Sequence, residues 1–433
     1  MGIKGTLRVI SSAALTGALV FTSAPNAAAD QVRSDQWALE SLEASSIWKT
    51  TKGKGQTVAV IDNGVNSSHP DLKGNVLKGK NFIEGGDAEP APEDSHGTSV
   101  ASLIAGHGHG PGGRDGVMGL APEAKILPIL DDGSGEQGSA QAIRYAVDQG
   151  ATVINISQGG ETSAPGETKA ISYALKRDVL VVAGTGNKAA SVAYPAAYPG
   201  VLAVSAVKQD GTHWPKSNRG PKVMLSAPGD KIVSAGKPGD LDGYGMASGT
   251  SDSTAYTSAA AALLRAKYPD LSAGQIANRL TKTAEMPAAE RSAKLPDERY
   301  GYGAIRPLAA LQEDIPKGSK YGPLAVPEQN DSDQTGTQKT EDDRALEEKQ
   351  EREFVILWTI TGILAFLFVG GIILLIVVIR RRKRNRNNGP GGPGAPGGSA
   401  YPPGQAPGYG MPQQQQQPYA PQSPAPPQQP PYN

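Results

Sequence analysis

A chain of 433 residues with no cysteine can form no disulfide, run no thiolate catalysis and hold no metal through sulfur. Its 42 basic and 42 acidic residues cancel, so no overall field recommends a nucleic-acid partner. An apolar share of only 38%, with many of the 35 prolines near the C-terminus, fits one large folded domain carrying extensions.

In chain order, Lys4 and Arg8 precede an apolar stretch from Val9 to Phe21, and Ala27-Ala28-Ala29 precedes Asp30. Residues 1–29 thus have the layout of a secretory signal peptide cut after Ala29. An uncleaved anchor helix is the alternative, but Ser11, Ser12, Thr16 and Gly17 interrupt an already short run.

The folded domain is assigned to residues 30–313. Thr57–Ile61, Ala124–Leu130, Thr152–Ile156, Val179–Ala183 and Val201–Ala206 are short, almost wholly apolar runs. Such runs suit parallel strands covered on both faces. Ser139–Gln149 and Glu167–Lys176 read as helices between them, so the alternation predicts an α/β fold with a central parallel sheet flanked by helices. Ligands of such sheets gather outside the carboxyl ends of the strands, and Asp62 lies just past the first one.

Residues 314–353 are polar and acid-rich and read as a flexible stalk, with Ala345–Glu353 able to continue as helix. The uncharged apolar run 354–379 exceeds the ~20 residues needed to cross a bilayer and reads as one C-terminal transmembrane helix. Arg380, Arg381, Arg382, Lys383, Arg384 and Arg386 follow it and hold that end in the cytoplasm. The expected protein is therefore single-pass in the cell membrane, in contact with the lipid bilayer, with its N-terminal domain extracellular. The Pro/Gly/Gln-rich remainder of 380–433 has too little apolar surface to fold, and it reads as a cytoplasmic tail that is either inert or docks a proline-recognising partner.

Three short segments carry chemistry. Val58-Ala-Val-Ile-Asp62-Asn-Gly-Val65, His96-Gly97-Thr98 and Gly249-Thr250-Ser251 each place an acid, a base or a nucleophile beside glycine. Their order, Asp then His then Ser, is one that serine-protease folds use. Ser251 precedes an Ala-rich helix expected from Ala255 to Ala266, whose N-terminal amides would favour developing negative charge. Taken alone, a serine there reads equally as a helix N-cap. Among the histidines, His96 has the best context for a general base, at the start of a helix over Ser99–Ala105, with Asp62 as the acid to orient it. His107 and His109 form a His-x-His pair in a Gly-rich stretch, which reads as a solvated turn rather than a metal site.

These segments resemble the subtilisin-like serine proteases, or subtilases. The similarity runs from about Trp37 to Leu311 and includes His69-Pro70-Asp71-Leu72, Ala227-Pro228-Gly229 and Tyr300-Gly301-Tyr302-Gly303. It implies the subtilisin-like three-layer fold, a polypeptide substrate, and a catalytic set of Asp62, His96 and Ser251. The stretch Val182-Ala183-Gly184-Thr185-Gly186-Asn187 is similar to the family segment that ends in the oxyanion-hole asparagine, which implies that role for Asn187. Gly133, Ser134 and Gly135, with Ser157, Gln158 and Gly159, resemble the edges that pair with extended substrate. No charged residue stands out at the pocket for the residue just before the cut.

Two departures qualify the resemblance. Asp252 stands where the family more often has an apolar residue, and as a first-turn helix acid it is expected to be harmless. The family's calcium-loop sequence is not recognisable after Gly106, so neither calcium nor any other metal or cofactor is indicated. With cleavage after Ala29, residues 30–56 are short for a separate folding pro-domain of the usual subtilase kind, and none is expected there. Signal peptide, subtilase core, stalk, span and tail together resemble the mycosins, membrane-anchored subtilases of actinobacteria associated with type VII secretion. That implies an extracytoplasmic serine endopeptidase partnered with a type VII secretion complex, or, as the rival, a membrane component stabilising such a complex.

Overall fold

The computed structural model describes residues 31–134, 138–236 and 243–326. The strands along the chain are β1 (Thr57–Asp62), β2 (Lys80–Asn81), β3 (His107–His109), β4 (Asp115–Met118), β5 (Lys125–Leu130) and β6 (Val153–Ile156). They continue as β7 (Leu180–Gly184), β8 (Val201–Val207), β9 (Leu225–Pro228), β10 (Ile232–Ala235) and β11 (Tyr244–Ala247). Helices α1 (Trp37–Ser41), α2 (Ala44–Ile47), α3 (His96–Ala105), α4 (Ala140–Asp148) and α5 (Pro165–Lys176) precede α6 (Thr250–Lys267), α7 (Ala273–Thr283) and α8 (Pro307–Gln312).

One seven-stranded sheet runs in the order β2-β5-β1-β6-β7-β8-β9, and its pairings are parallel. Strands β1 and β5 to β8 fall within one residue of the runs read from sequence. Their side chains alternate between two cores. Along β1, Val58 and Val60 face the core that holds α3, α6 and α7, while Ala59 and Ile61 face the one that holds α4 and α5. Burial on both faces explains why these runs carry no polar alternation, and each buried Val, Leu or Ile contributes about 1.5–3 kcal/mol.

Helix α6 runs between the sheet and α3, and every residue from Thr250 to Arg265 is buried. It starts before the Ala-rich stretch because its polar first turn satisfies itself. The Thr254 hydroxyl donates to the Thr250 carbonyl at 2.6 Å, and Thr257 donates to Ser253 at 2.9 Å. Helix α3 likewise opens on His96 rather than Ser99.

Strand β1 lies between β5 and β6, so the chain lays one later strand on each side of it. That change of direction opens a crevice at the carboxyl ends of β1 and β6, where an α/β sheet takes its ligand. Asp62 closes β1 and Ser157 follows β6, so both face the crevice entrance.

Residues 314–326, read from sequence as the start of the stalk, pack on α7. Arg279 donates to the Ile315 carbonyl at 3.2 Å and Asn278 to that of Pro316 at 3.1 Å, and Leu324 is buried. The signal peptide, the rest of the stalk, the span at 354–379 and the tail lie outside the described residues. Among the described residues no helix is long and apolar enough to cross a membrane.

Candidate active site

Three separate elements bring the predicted acid, base and hydroxyl together. Asp62 ends β1, His96 opens α3, and Ser251 is the second residue of α6. His96 Nδ1 lies 2.7 Å from Asp62 Oδ1, and His96 Nε2 lies 3.0 Å from Ser251 Oγ. The same Asp62 oxygen accepts the Asn63 N–H at 2.8 Å, while Oδ2 is buried and meets no donor among the described residues. The Asp62 partner assigns a proton to Nδ1, which turns Nε2 toward the hydroxyl. Ser251 Oγ has a second neighbour, the Ser157 carbonyl, to which it donates at 3.1 Å.

Glycine permits this approach. A β-carbon on Gly97 would collide with the Gly64 carbonyl oxygen, so only glycine lets α3 come this close to the end of β1. The Gly97 N–H then donates to Asn63 Oδ1 at 2.8 Å and pins the helix there. Asn63 carries this second anchor, although the Asp-Asn-Gly motif pointed only to Asp62.

The imidazole of His96 is 46% exposed, whereas the Asp62 side chain is 3% exposed. Attraction to the Asp62 carboxylate lifts His96 from 6.5 to about 9 against the opposing effect of burial, and Asp252 and Asp94 add to the lift.

Asn187 is held by one oxygen. Its Oδ1 accepts the Thr250 N–H at 2.9 Å and the Thr250 hydroxyl at 3.0 Å, leaving Nδ2 with no acceptor among the described residues, in the cavity that Ser251 also lines. Thr250 Oγ1 in turn accepts the Gly186 N–H at 3.1 Å, so this one side chain ties the start of α6 to the end of β7. Sequence reasoning missed Thr250; its place beside Ser251 was the available signal.

The predicted groove residues line two adjoining cavities. One, of about 630 Å³, is bordered by His96, Ser251, Asn187, Ser157, Gln158 and Gly159. The other, of about 490 Å³, is bordered by Gly133, Ser134, Gln158 and Gly159. Gly135 lies outside the described residues. Charged residues do reach the first cavity, contrary to the sequence reading. They are Glu161 and Lys188, and they pair with each other at 3.0 Å.

Two further expectations need revision. Asp252 sits in the first turn of α6, as expected, but it is buried there, and burial pushes its carboxyl up to about 7. Its charge is felt at His96, so it is not inconsequential. The His107-x-His109 pair forms strand β3 instead of a free turn, and His109 Nδ1 lies 2.6 Å from the buried Asp71 carboxylate. That partner is distant in sequence and so was invisible to the local reading. Among the described residues, no group of three or more His, Cys, Asp or Glu side chains is placed to hold a metal ion.

The Subtilase family, Peptidase S8, matches residues 53–303. The thermophilic serine proteinase of Bacillus sp. strain AK1 is 40% identical over 225 residues, which are 50% of this chain and 54% of that protein. The chain thus spans about half the length of that relative. Mycosin-1 of Mycolicibacterium smegmatis is 32% identical over 352 residues, covering 67% of this chain and 76% of that protein. Among solved structures, the crystal structure of MycP1 from Mycobacterium smegmatis aligns with a TM-score of 0.57 at 30% identity, covering 67% of this chain and 88% of its own. With this breadth of agreement around the His96 cluster, the chain belongs to the subtilase family of serine proteases.

Proposed function

We propose that the protein is a membrane-anchored extracytoplasmic endopeptidase acting through Asp62, His96 and Ser251. One observation carries the reading: a single imidazole bridges a buried carboxylate at 2.7 Å and a serine hydroxyl at 3.0 Å. His96 Nε2 takes the proton as Ser251 Oγ attacks the substrate carbonyl, and Asp62 steadies the imidazolium. Asn187 Nδ2 and the Ser251 N–H, at the start of α6, stabilise the oxyanion. His96 then protonates the leaving amine, and water, activated in the same way, frees the acyl group from Ser251. Extended substrate pairs with Gly133, Ser134 and Gly135 on one side and Ser157, Gln158 and Gly159 on the other.

The substrates are secreted or cell-envelope proteins within reach of an anchored domain, and the partner is a type VII secretion complex. The likeness to Mycosin-1 and to the MycP3 protease from the type VII (ESX-3) secretion system supports this, together with the basic-flanked apolar run 354–379. The test is the full chain carrying Ser251→Ala: hydrolysis of peptide substrates disappears while the unfolding temperature is kept. Hydrolysis in that variant at a rate close to that of the unaltered chain, instead of a fall of about 10⁶ in kcat, would discard the mechanism.

A second reading has its own support, since one MycP1 structure is described as that of an essential component of the type VII (ESX-1) secretion system. In it the protein stabilises a secretion complex and catalysis is secondary. Cells that secrete normally with Ser251→Ala but fail when the chain is deleted would establish that role as the dominant one.

A further inference from the structure

A third cavity, of about 450 Å³, adjoins the other two and shares Gln158 with them. Its charged lining is entirely acidic among the described residues: Glu84, Glu89, Asp94, Asp131 and Asp132. Two of these are occupied, Glu89 by the Ser67 hydroxyl and Asp132 by the Ser134 N–H. Glu84 and Asp94 are exposed, and their carboxylates have no hydrogen bond or ion pair among the described residues.

Asp131 supplies a separate observation. It is only 9% exposed, yet its Oδ2 meets no donor among the described residues, and burial raises its carboxyl above the usual range. An orphaned buried oxygen and several carboxylates in one concavity are costly unless a cation arrives. A bare metal ion is a poor match, because no three of these side chains converge to hold one. Ile83, which is 53% exposed, Pro90, Ala91 and Leu130 give the same wall an apolar part, next to the uncharged amides of Asn63, Asn81 and Gln158. An aliphatic stem with a cationic head satisfies both halves, as lysine and arginine do.

We infer that this cavity receives a lysine or arginine side chain of the polypeptide substrate, at the second residue before the scissile bond. The placement rests on the proposed role of Ser251 and of the groove edges. Side chains of an extended strand point alternately to opposite sides. With the residue before the cut in the cavity bordered by Asn187 and Gly159, its predecessor turns to the His96 side. Asp94, two residues before His96 and close enough to influence its imidazole, meets it there.

Two measurements on the full chain test this. In the Ser251→Ala form, fluorescence anisotropy compares two neutral decapeptides that differ only in Lys against norleucine at one position. The Lys peptide is expected to bind about tenfold more tightly at low salt, the scale of one charge-assisted hydrogen bond. The ratio should approach one in a Glu84→Gln, Asp94→Asn double variant, whose exposed sites leave the fold intact by circular dichroism. Equal affinities, or a ratio that survives in the double variant, overturn the inference. The unmodified chain is then given the Lys peptide, and the products are weighed. Cleavage one residue beyond the lysine supports the assigned position, and cleavage directly after the lysine overturns it. No cleavage at all, with the Lys preference retained, removes the catalytic proposal and leaves the basic-residue cavity standing.

Discussion

Asp252 is buried one residue beyond Ser251, and its charge raises the imidazole of His96. The two groups pull on each other: burial lifts Asp252 to about 7, and nearby His96 restrains that lift. A general base must be neutral to accept a proton, so activity is lost as pH falls through the His96 value. That value is raised from 6.5, chiefly by Asp62, so the acid limb of kcat/KM is expected above the ordinary imidazole range. Asp252→Asn removes one of the charges that lift His96, leaves the contributions of Asp62 and Asp94 in place, and should move the limb to lower pH. The measurement is kcat/KM against pH for both forms on one peptide, and an unmoved limb would mean that Asp252 is electrically silent.

Asn187 and Thr250 separate donation from positioning. Asn187→Ala removes the Nδ2 donor and is expected to lower kcat by about 10²–10³ with little change in KM. Thr250→Val keeps that donor but deletes the hydroxyl that links Asn187 Oδ1 to the Gly186 N–H. A smaller fall in kcat is expected, because the Thr250 N–H still holds Asn187 at 2.9 Å. Steady-state kinetics on both variants decide the matter. A loss in Thr250→Val as large as in Asn187→Ala would mean that the amide is placed by the hydroxyl alone.

Gly97→Ala should uncouple His96 from Asp62. The added methyl group meets the Gly64 carbonyl oxygen, which is backbone and cannot swing aside, and crowds the Asn63 side chain, so α3 has to shift. Overpacking of this kind costs about 1–3 kcal/mol. The unfolding temperature and kcat should fall together, which calorimetry and a peptide assay can follow. Unchanged kcat in a destabilised variant would show that the helix moves without carrying the imidazole away.

The parts legible from sequence share one property: their signal is local. Strands β1 and β5 to β8 are buried on both faces, so a few consecutive apolar residues reveal each of them. Asp62, His96 and Ser251 stand beside glycines whose need shows in the tripeptide itself. What stayed hidden depends on residues far apart. The polar first turn of α6 looked like loop because its internal hydroxyl bonds do not appear in composition. His109 looked solvated because Asp71 lies 38 residues earlier. The acidic cavity draws on Ile83 to Asp94 and on Leu130 to Asp132, and neither stretch alone outlines a concavity.

Leu324 tests where the folded domain ends. Composition placed residues 314–326 in a flexible stalk, yet Leu324 is 4% exposed and Ser272 Oγ donates to the Lys320 carbonyl at 2.5 Å. Arg279 and Asn278 on α7 direct further donors at this stretch, so its backbone carbonyls replace water at the helix surface. Leu324→Ala removes a buried side chain and is expected to cost about 2 kcal/mol, the lower end for such truncations because an edge site can partly collapse. Denaturant unfolding of the full chain, read by tryptophan fluorescence, measures it. A midpoint identical to that of the unaltered chain would return the segment to the stalk, since a side chain in a free linker has no packing to lose.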